Sequence, residues 1–232
     1  MTRDTPTPEP LVLVRLRELI LRGILKPGQR VLEVELADLL SLSRTPIRQA
    51  LPALALEGLL VRVGGRGYAV RSFTFAESLA ALHLRAVLEG HAARLLVMTG
   101  RAAAVAADLM PVLAEGDALL ASEQALTALE DGYGRMNAKF HATIVERTDD
   151  ALLQSLIARC NVVPFTAPGM VAFEARDPVE VAALLGYAHR QHHAIVDALR
   201  TGDATRVEML FREHATTQES SMNGPPETPA SL

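Results

Sequence analysis

The fold of the N-terminal region is indicated most strongly by residues 43–51, SRTPIRQAL. Its apolar residues recur at helical spacing, and Pro46 fits a helix only within the first turn, where backbone N–H groups lack intrahelical partners. The pattern therefore predicts a helix that begins near Arg44 and ends at Glu57. Arg44 and Arg48 are one turn apart, so their side chains project from the same side of this helix.

Short elements flank this helix on both sides. Upstream, apolar spacing predicts helices over residues 11–22 and 33–40. Downstream, two β-type runs, residues 59–63 and 68–71, surround a glycine-rich turn at residues 64–67. Two short helices, a tight turn, a further helix and a β-hairpin are the parts of a winged helix-turn-helix. In that fold the second helix of the pair enters the major groove of DNA by its N-terminal end.

The side chains at the start of the third helix suit DNA. Arg44 and Arg48 can make bidentate contacts with guanine, and the hydroxyls of Ser43 and Thr45 can bind phosphates or base edges. Arg66, on the hairpin, could reach the adjacent minor groove or the DNA backbone. The alternative is a solvated face of charged side chains, which fits any one of these arginines. The agreement of helix lengths, turn, paired arginines and basic wing favours DNA binding.

Four segments of this region resemble the DNA-binding domain of the GntR family of bacterial transcription regulators: LKPG (25–28), LADLL (36–40), SRTPIRQAL (43–51) and LEGL (56–59). The resemblance covers nearly all of residues 11–72 and implies that Arg44 and Arg48 read bases. The other contacts that it implies come from Ser43, Thr45 and Arg30 to phosphates, and from the wing near Arg66 and Gly67.

Three positions depart from the family pattern. Ser41 stands where the family usually has a turn glycine, and Gln49 replaces a common glutamate. Pro52 lies inside the recognition helix, where we expect a kink or a loss of roughly 3 kcal/mol. Because Pro52 follows the base-reading residues, it bears on the straightness of the helix more than on its function.

Charge is unevenly distributed along the 232 residues, although the net charge is only −4. Residues 1–75 carry 11 Lys and Arg against 7 Asp and Glu, whereas residues 76–232 carry 12 against 20. The N-terminal region is thus basic and the C-terminal region is acidic. Its single cysteine, Cys160, excludes an intramolecular disulfide. We find no secretory signal and no membrane-spanning apolar run, so we expect a cytoplasmic protein without a membrane partner.

From Thr74 onward the sequence has only helical patterns, in six segments: 75–98, 102–120, 122–147, 150–166, 177–201 and 203–219. The predicted fold class is mainly α. An N-terminal winged helix-turn-helix over residues 11–73 precedes a C-terminal all-helical bundle over residues 74–219, which we expect to bind an effector and to dimerise. Disordered tails are expected at residues 1–10 and 220–232.

Three histidines interrupt apolar helix faces: His141, His192 and His214. The turn at residues 201–203 makes the last two helices antiparallel, which brings His192 and His214 to similar heights. One such histidine is usually a hydrogen-bonded core residue, but three on converging helices favour a set of ligands for zinc, nickel, cobalt, iron or manganese. The remaining histidines, His83, His91, His189 and His193, are interpreted as surface or incidental residues.

The helical region resembles the FCD effector domain of the FadR subfamily, and its six helices resemble the VanR-like branch. The resemblance rests on Phe140-His141, on HHAIVDAL (192–199) with Gly202-Asp203, and on His214. Many members bind a divalent metal through an Asp and three His. The implied ligands here are Asn137, His141, His192 and His214, with zinc, nickel or manganese as the favoured ions.

Asn137 departs from that pattern because it replaces the only anionic ligand. The ion would keep its full +2 charge and favour an anionic effector. Alternatively, Asn137 binds the effector directly, or the site has lost its metal. Arg85 is implied to lie near the effector; the alternative is an i,i+4 ion pair with Glu89 worth a few tenths of a kcal/mol.

Together these features predict a homodimeric transcription regulator, a repressor by family habit, that binds a palindromic operator in double-stranded DNA. Its helical domain would bind a small organic acid at a divalent metal ion. One alternative is a regulator for which the ion itself is the signal. Another is a metalloenzyme, which the sequence disfavours because no acidic residue falls at a recognisable general-base spacing beside the histidines.

Overall fold

The computed structural model describes residues 9–21, 23–65, 67–122, 124–163, 166–169 and 177–222. The chain divides into two compact units between Phe75 and Ala76. The predicted tails overlap the described helices at residues 9–10 and 220–222, and the rest of both tails lies outside the described residues.

The first unit is a winged helix-turn-helix. Its elements are α1 (Glu9–Leu21), β1 (Arg30–Val31), α2 (Glu33–Leu40), α3 (Arg44–Leu56), β2 (Leu60–Val63) and β3 (Gly67–Val70). The strands form one antiparallel sheet in the order β1-β3-β2, in which Arg30 pairs with Ala69 and Leu60 with Val70. Strand β1 was not predicted, because two residues are too few for an alternating pattern.

The core of this unit lies between the three helices and the sheet. Fully buried side chains include Val12, Leu16, Ile47, Leu54 and Leu59. A buried Leu or Ile contributes about 1.5–3 kcal/mol relative to an exposed one. Helix α3 continues through Pro52, whose side chain is exposed. The missing N–H of Pro52 therefore leaves the carbonyl of Arg48 without its helical partner on the solvent side.

Ser41 ends helix α2 in the left-handed conformation, with φ 55° and ψ 44°. Its N–H donates to the carbonyl of Asp38, and the N–H of Leu42 donates to that of Ala37. A glycine adopts this conformation without a Cβ penalty, which explains why the family usually has one here. The departure noted from sequence is thus a locally strained helix cap.

The described residues of the second unit form the six predicted helices: α4 (Phe75–Met98), α5 (Ala102–Ala121), α6 (Leu126–Glu146), α7 (Ala151–Asn161), α8 (Pro178–Thr201) and α9 (Ala204–Met222). The mainly α fold class is confirmed. The largest boundary differences are the later start of α6 and the earlier end of α7. Helix α7 stops before Pro164, in keeping with the bias of a residue preceding proline against the helical conformation.

The turn between α8 and α9 positions the two halves of the histidine cluster. Gly202 adopts φ 73° there, and the N–H of Asp203 donates to the carbonyl of Ala198. This left-handed cap reverses the chain and places His192 beside His214. The described helices include none with the length and apolar character needed to cross a membrane.

Replacing Ser41 with glycine should relieve the strained cap. We expect the Ser41→Gly variant to raise the free energy of unfolding of the first unit by about 1 kcal/mol. Urea unfolding followed by circular dichroism measures this change. Ser41→Ala is the matched control, because it keeps the Cβ and should stay within about 0.5 kcal/mol of the parent protein. Equal stability of the glycine and alanine variants would contradict the assignment of strain to this cap.

Candidate nucleic-acid interface and metal centre

The predicted DNA-reading side chains lie on the exposed face at the start of α3. Ser43, Arg44, Thr45 and Arg48 are exposed, while the opposite face of the helix buries Ile47, Ala50, Leu51 and Leu54. Arg30 is exposed in β1, and Gly67 is the first residue of β3. Arg66, the predicted wing contact, lies outside the described residues.

A carboxylate that was not predicted, Glu33, holds both arginines of α3. Glu33 is the first residue of α2. Its Oε2 atom lies 2.8 Å from Nη2 of Arg48 and 3.3 Å from Nη2 of Arg44. Hydrogen bonds from Arg48 lower the pKa of Glu33, so the carboxylate is ionised at neutral pH. Glu33 therefore orients the two guanidinium groups and occupies the hydrogen-bond donors that the predicted contacts with DNA require.

The second unit buries His141, His192 and His214 together, each with at most 7% of its surface exposed. The Nε2 atoms of His192 and His214 lie 3.1 Å apart, and one ligand atom from each histidine falls within 4.8 Å of the others. Phe140 stacks on His192 with ring centroids 4.2 Å apart. Helices α6, α8 and α9 each supply one histidine, so the cluster forms only when the bundle packs.

Hydrogen bonds from their Nδ1 atoms fix the orientation of two of these rings. Nδ1 of His141 lies 2.9 Å from Oε2 of Glu89, and Nδ1 of His214 lies 3.0 Å from Oε1 of Gln191. A carboxylate and an amide oxygen only accept hydrogen bonds, so Nδ1 carries the proton in both rings. In the neutral form of each ring, the Nε2 lone pair is then turned toward the cluster. Thr217 supports Gln191 through a 2.9 Å hydrogen bond to the same oxygen.

Burial keeps His192 and His214 uncharged. Burial and the neighbouring histidines hold the pKa of His192 well below its ordinary value, and burial lowers the pKa of His214 to about 3. Burial also opposes the ionisation of Glu89, but attraction to Arg85 and His141 outweighs it and lowers the pKa of Glu89 to about 2. The result is two neutral imidazoles, of His192 and His214, near a fixed anion.

The Arg85–Glu89 pair forms and is buried, so the few tenths of a kcal/mol that an exposed i,i+4 pair contributes do not describe it. Both side chains are only 2% exposed, and Nε of Arg85 lies 3.3 Å from Oε2 of Glu89. Arg85 also donates from Nη2 to Gln218. Sequence spacing places no acidic residue beside the histidines, but the fold of α4 brings Glu89 to His141 from 52 residues away. The i,i+4 spacing predicted the pair but could not show which face of α4 is buried.

Asn137 lies one turn before His141 on α6. Its Nδ2 donates to the carbonyl of Pro168 at 2.7 Å, whereas its buried Oδ1 has no hydrogen-bond partner among the described residues. Other buried polar atoms of this region share that state: Nη1 of Arg85, Oε1 of Glu89, the Tyr133 hydroxyl, Nε2 of His141, Nε2 of Gln191 and Nδ1 of His192. Such groups usually find a partner, so their concentration here indicates a ligand site.

The interpretation of His189 as a surface or incidental residue was wrong. Its side chain is only 3% exposed, and its Nε2 atom lies 3.2 Å from Oδ1 of Asp117. The sequence indicated one apolar stripe along α8, on the face that carries His192. The residues around His189 form a further buried face, which packs against α5. His83 and His193 are exposed, in agreement with the interpretation.

An exposed pair of arginines at the start of a recognition helix, with a hairpin wing, defines a winged helix-turn-helix transcription regulator. In this chain, that unit precedes a helical unit with a buried polar centre. A family model described as "Bacterial regulatory proteins, gntR family" matches residues 12–70, and an FCD domain model matches residues 80–217. The chain belongs to the GntR family and carries an FCD domain, an architecture consistent with the FadR subfamily.

Relatives agree with this assignment. The chain is 30% identical over 161 residues to the uncharacterized HTH-type transcriptional regulator YdhC of Bacillus subtilis, covering 68% of this chain and 69% of that protein. It is 28% identical over 204 residues to a probable D-xylose utilization operon transcriptional repressor of Paenarthrobacter nicotinovorans, covering 84% and 80%. McbR/YncC of E. coli shares the fold, with a TM-score of 0.66 and 22% identity over 92% of this chain and 96% of that one. These are DNA-binding regulators rather than enzymes.

Removing the Glu33 carboxylate should strengthen binding to DNA of any sequence. We expect Glu33→Gln to raise the affinity for a non-specific duplex about threefold to tenfold, because the arginines of α3 lose their competing anion. Fluorescence anisotropy at fixed salt measures the change. Glu35→Gln alters the charge of the same helix without an arginine contact in the described structure, and it serves as the control. The same rise in both variants would contradict a specific role for Glu33.

Removing the Glu89 carboxylate should destabilise the second unit. Glu89→Gln leaves Arg85 buried without its counter-charge, and we expect a loss of about 3–5 kcal/mol in the free energy of unfolding. Urea unfolding measures this loss. Glu115→Gln on the exposed face of α5 is the control and should cost less than about 0.5 kcal/mol. A loss below 1 kcal/mol in the Glu89 variant would show that the buried ion pair is dispensable.

Proposed function

We propose that this chain is a homodimeric repressor whose FCD domain binds a small carboxylate at a divalent metal ion held by Asn137, His141, His192 and His214. The observation that carries this proposal is the orientation of the imidazoles. Glu89 and Gln191 accept the Nδ1 protons of His141 and His214, which leaves both Nε2 lone pairs for a cation. The repressor role is supported by the relative named for D-xylose utilization.

The donor set suits zinc, nickel or manganese. Imidazole nitrogens and an amide oxygen are ligands for all three ions. The 3.1 Å between Nε2 of His192 and Nε2 of His214 is close to the separation of two neighbouring ligands that each lie about 2.1 Å from one ion. Asn137 would contribute its unpartnered Oδ1.

The charge balance favours an anionic effector. The charges of the ionised Glu89 and of Arg85 cancel each other. Imidazoles bind metals in their neutral form, so three imidazoles and an amide leave the ion with its +2 charge. Nη1 of Arg85 is buried, with no hydrogen-bond partner among the described residues. A carboxylate that completes the coordination of the ion could therefore also accept a hydrogen bond from Arg85. Binding would shift operator affinity by favouring one of two arrangements of the dimer.

At the operator, the proposed base contacts come from Arg44 and Arg48. The proposed phosphate contacts come from Ser43, Thr45 and Arg30, and the wing contact from Arg66 and Gly67. Two copies would bind the halves of a palindrome, because helix-turn-helix proteins pair their recognition helices across a twofold axis.

Metal retention and effector response test this function. We expect full-length protein purified without chelators to carry metal that the H141A/H192A double variant loses, as counted by mass spectrometry of the elements. His91→Gln removes an exposed histidine of α4 and should leave the metal in place. Organic acids should raise the melting temperature of the metal-loaded protein, because ligands that bind only the native state stabilise it. Equal metal content in the double variant and the His91 control would contradict the metal site.

Operator binding distinguishes the metal-sensor alternative from the cofactor role of the ion. The operator is first identified as the duplex that the protein selects from a pool of random sequences. If the ion is a resident cofactor, organic acids change operator affinity while the metal is held constant. If the ion is the signal, chelation changes operator affinity and organic acids do not.

Asn137→Asp restores a negative ligand in almost the same volume. We expect at least about tenfold tighter metal retention against a chelator, because a carboxylate replaces a neutral amide at the cation. The response to anionic effectors should weaken, since the ion keeps less positive charge. Competition with a chromogenic chelator measures retention, and Asn137→Ala is the control that removes the oxygen. Unchanged retention in the aspartate variant would place residue 137 outside the coordination shell.

A further inference from the structure

We propose a second metal site at the edge of the helical unit, formed by Asp117 of α5 with His189 and His193 of α8. This site is separate from the centre of His141, His192 and His214, and its evidence is independent of that centre. Oδ1 of Asp117 lies 3.0 Å from Nε2 of His193 and 3.2 Å from Nε2 of His189. One ligand atom from each residue falls within 4.8 Å of the others.

The two histidines are placed for joint ligation by the helix itself. His189 and His193 are four residues apart on α8, so their rings share one face, and their centroids lie 4.9 Å apart. The carboxylate comes from the neighbouring helix α5. The separations from its Oδ1 to the two ring nitrogens resemble those between ligands that each lie about 2.0–2.2 Å from a common cation.

Helix α5 is shaped to admit the His189 ring. A Cβ atom added at Gly116 would lie only 2.2 Å from Cε1 and 2.7 Å from Nε2 of His189. Any other residue at position 116 would displace the imidazole. Gly116 precedes Asp117 directly, so one turn of α5 supplies both the clearance for one ligand and the carboxylate that faces it.

The protonation states suit a cation. Burial raises the pKa of Asp117, but the hydrogen bond and the attraction from His193, followed by those from His189, outweigh burial and lower it. Burial and His193 lower the pKa of His189, although Asp117 and the Leu113 carbonyl act in the opposite direction. An anionic carboxylate thus faces a neutral imidazole at neutral pH. Nε2 of His189 faces two acceptors, the Asp117 carboxylate and the Leu113 carbonyl, so it gives up its proton when it binds a cation.

The surroundings predict a weaker and more accessible site than the buried centre. The side chains of Asp117 and His193 are 58% and 45% exposed, so water can complete the coordination of an ion. Nε2 of His189 also lies 3.2 Å from the carbonyl of Leu113, and its Nδ1 has no partner among the described residues. Ligation through Nε2 would leave the Nδ1 proton without an acceptor. A ligating histidine whose second ring nitrogen lacks a hydrogen-bond acceptor binds its metal about 10–100-fold more weakly.

The chemistry identifies the class of ion. Two imidazoles and one carboxylate with open positions select divalent transition metals such as Zn²⁺, Ni²⁺ and Cu²⁺ over Ca²⁺ or Mg²⁺. An ion there would link α5 to α8 beside the buried centre, because the rings of His189 and His192 lie 5.7 Å apart. Occupancy would therefore stabilise the helices that carry a ligand of the first centre.

Zinc titration of chelator-treated, full-length protein tests the second site. Equilibrium dialysis against ZnCl₂ should give two ions per chain in the parent protein, one bound more weakly than the other. His193→Gln changes an exposed side chain and should weaken that second ion by at least about 100-fold. His83→Gln is the matched control, since His83 is exposed to a similar extent and lies outside both clusters. Identical zinc binding by these two variants would overturn the proposal.

A further pair of variants separates this site from the first. Asp117→Asn should weaken the same ion as His193→Gln, whereas His214→Gln should remove only the tighter ion. Loss of one ion in His193→Gln, with unchanged parental zinc binding in His214→Gln, would support the second site and contradict the buried centre. Loss of one ion in His214→Gln, with unchanged parental zinc binding in His193→Gln, would overturn the second site and leave the buried centre standing.

Discussion

The helical domain depends on a carboxylate that is removed from water. Burying Glu89 costs several kcal/mol in desolvation, and only the close cation of Arg85 and the hydrogen bond with His141 offset that cost. The carboxylate therefore requires α4 and α6 to pack in one arrangement. The same contact fixes the His141 tautomer and turns Nε2 toward the other histidines. One interaction thus links the packing of the bundle to the chemistry of its centre.

The DNA-binding unit also has a carboxylate that orients other side chains, in this case at its surface. Glu33 on α2 orients Arg44 and Arg48 on α3 in the absence of nucleic acid. The two carboxylates differ in their surroundings: Glu33 is partly exposed, whereas Glu89 is only 2% exposed. Water reaches the contacts of Glu33 but not those of Glu89, so the contacts at the surface are the easier ones to replace.

The sequence predicted the periodic parts of this protein well. Helix α2 and the N-terminal boundaries of α3 and α4 match the predictions, because apolar spacing, proline and glycine mark them directly. The residues that were missed are those whose roles arise from tertiary packing. Glu89 is 52 positions from His141, and Asp117 is 76 from His193, so neither contact has a local pattern. The extra strand, Arg30–Val31, exists only because β3 pairs with it.

In the proposed metal centre, the imidazoles of His141, His192 and His214 converge on one divalent ion. Anomalous diffraction at the zinc absorption edge, from crystals of zinc-loaded full-length protein, tests this arrangement. We expect an anomalous peak among the three Nε2 atoms, about 2.0–2.1 Å from each, with His141 still hydrogen-bonded to Glu89. Ordered rings without a peak, and with the 3.1 Å contact between His192 and His214 retained, would contradict it.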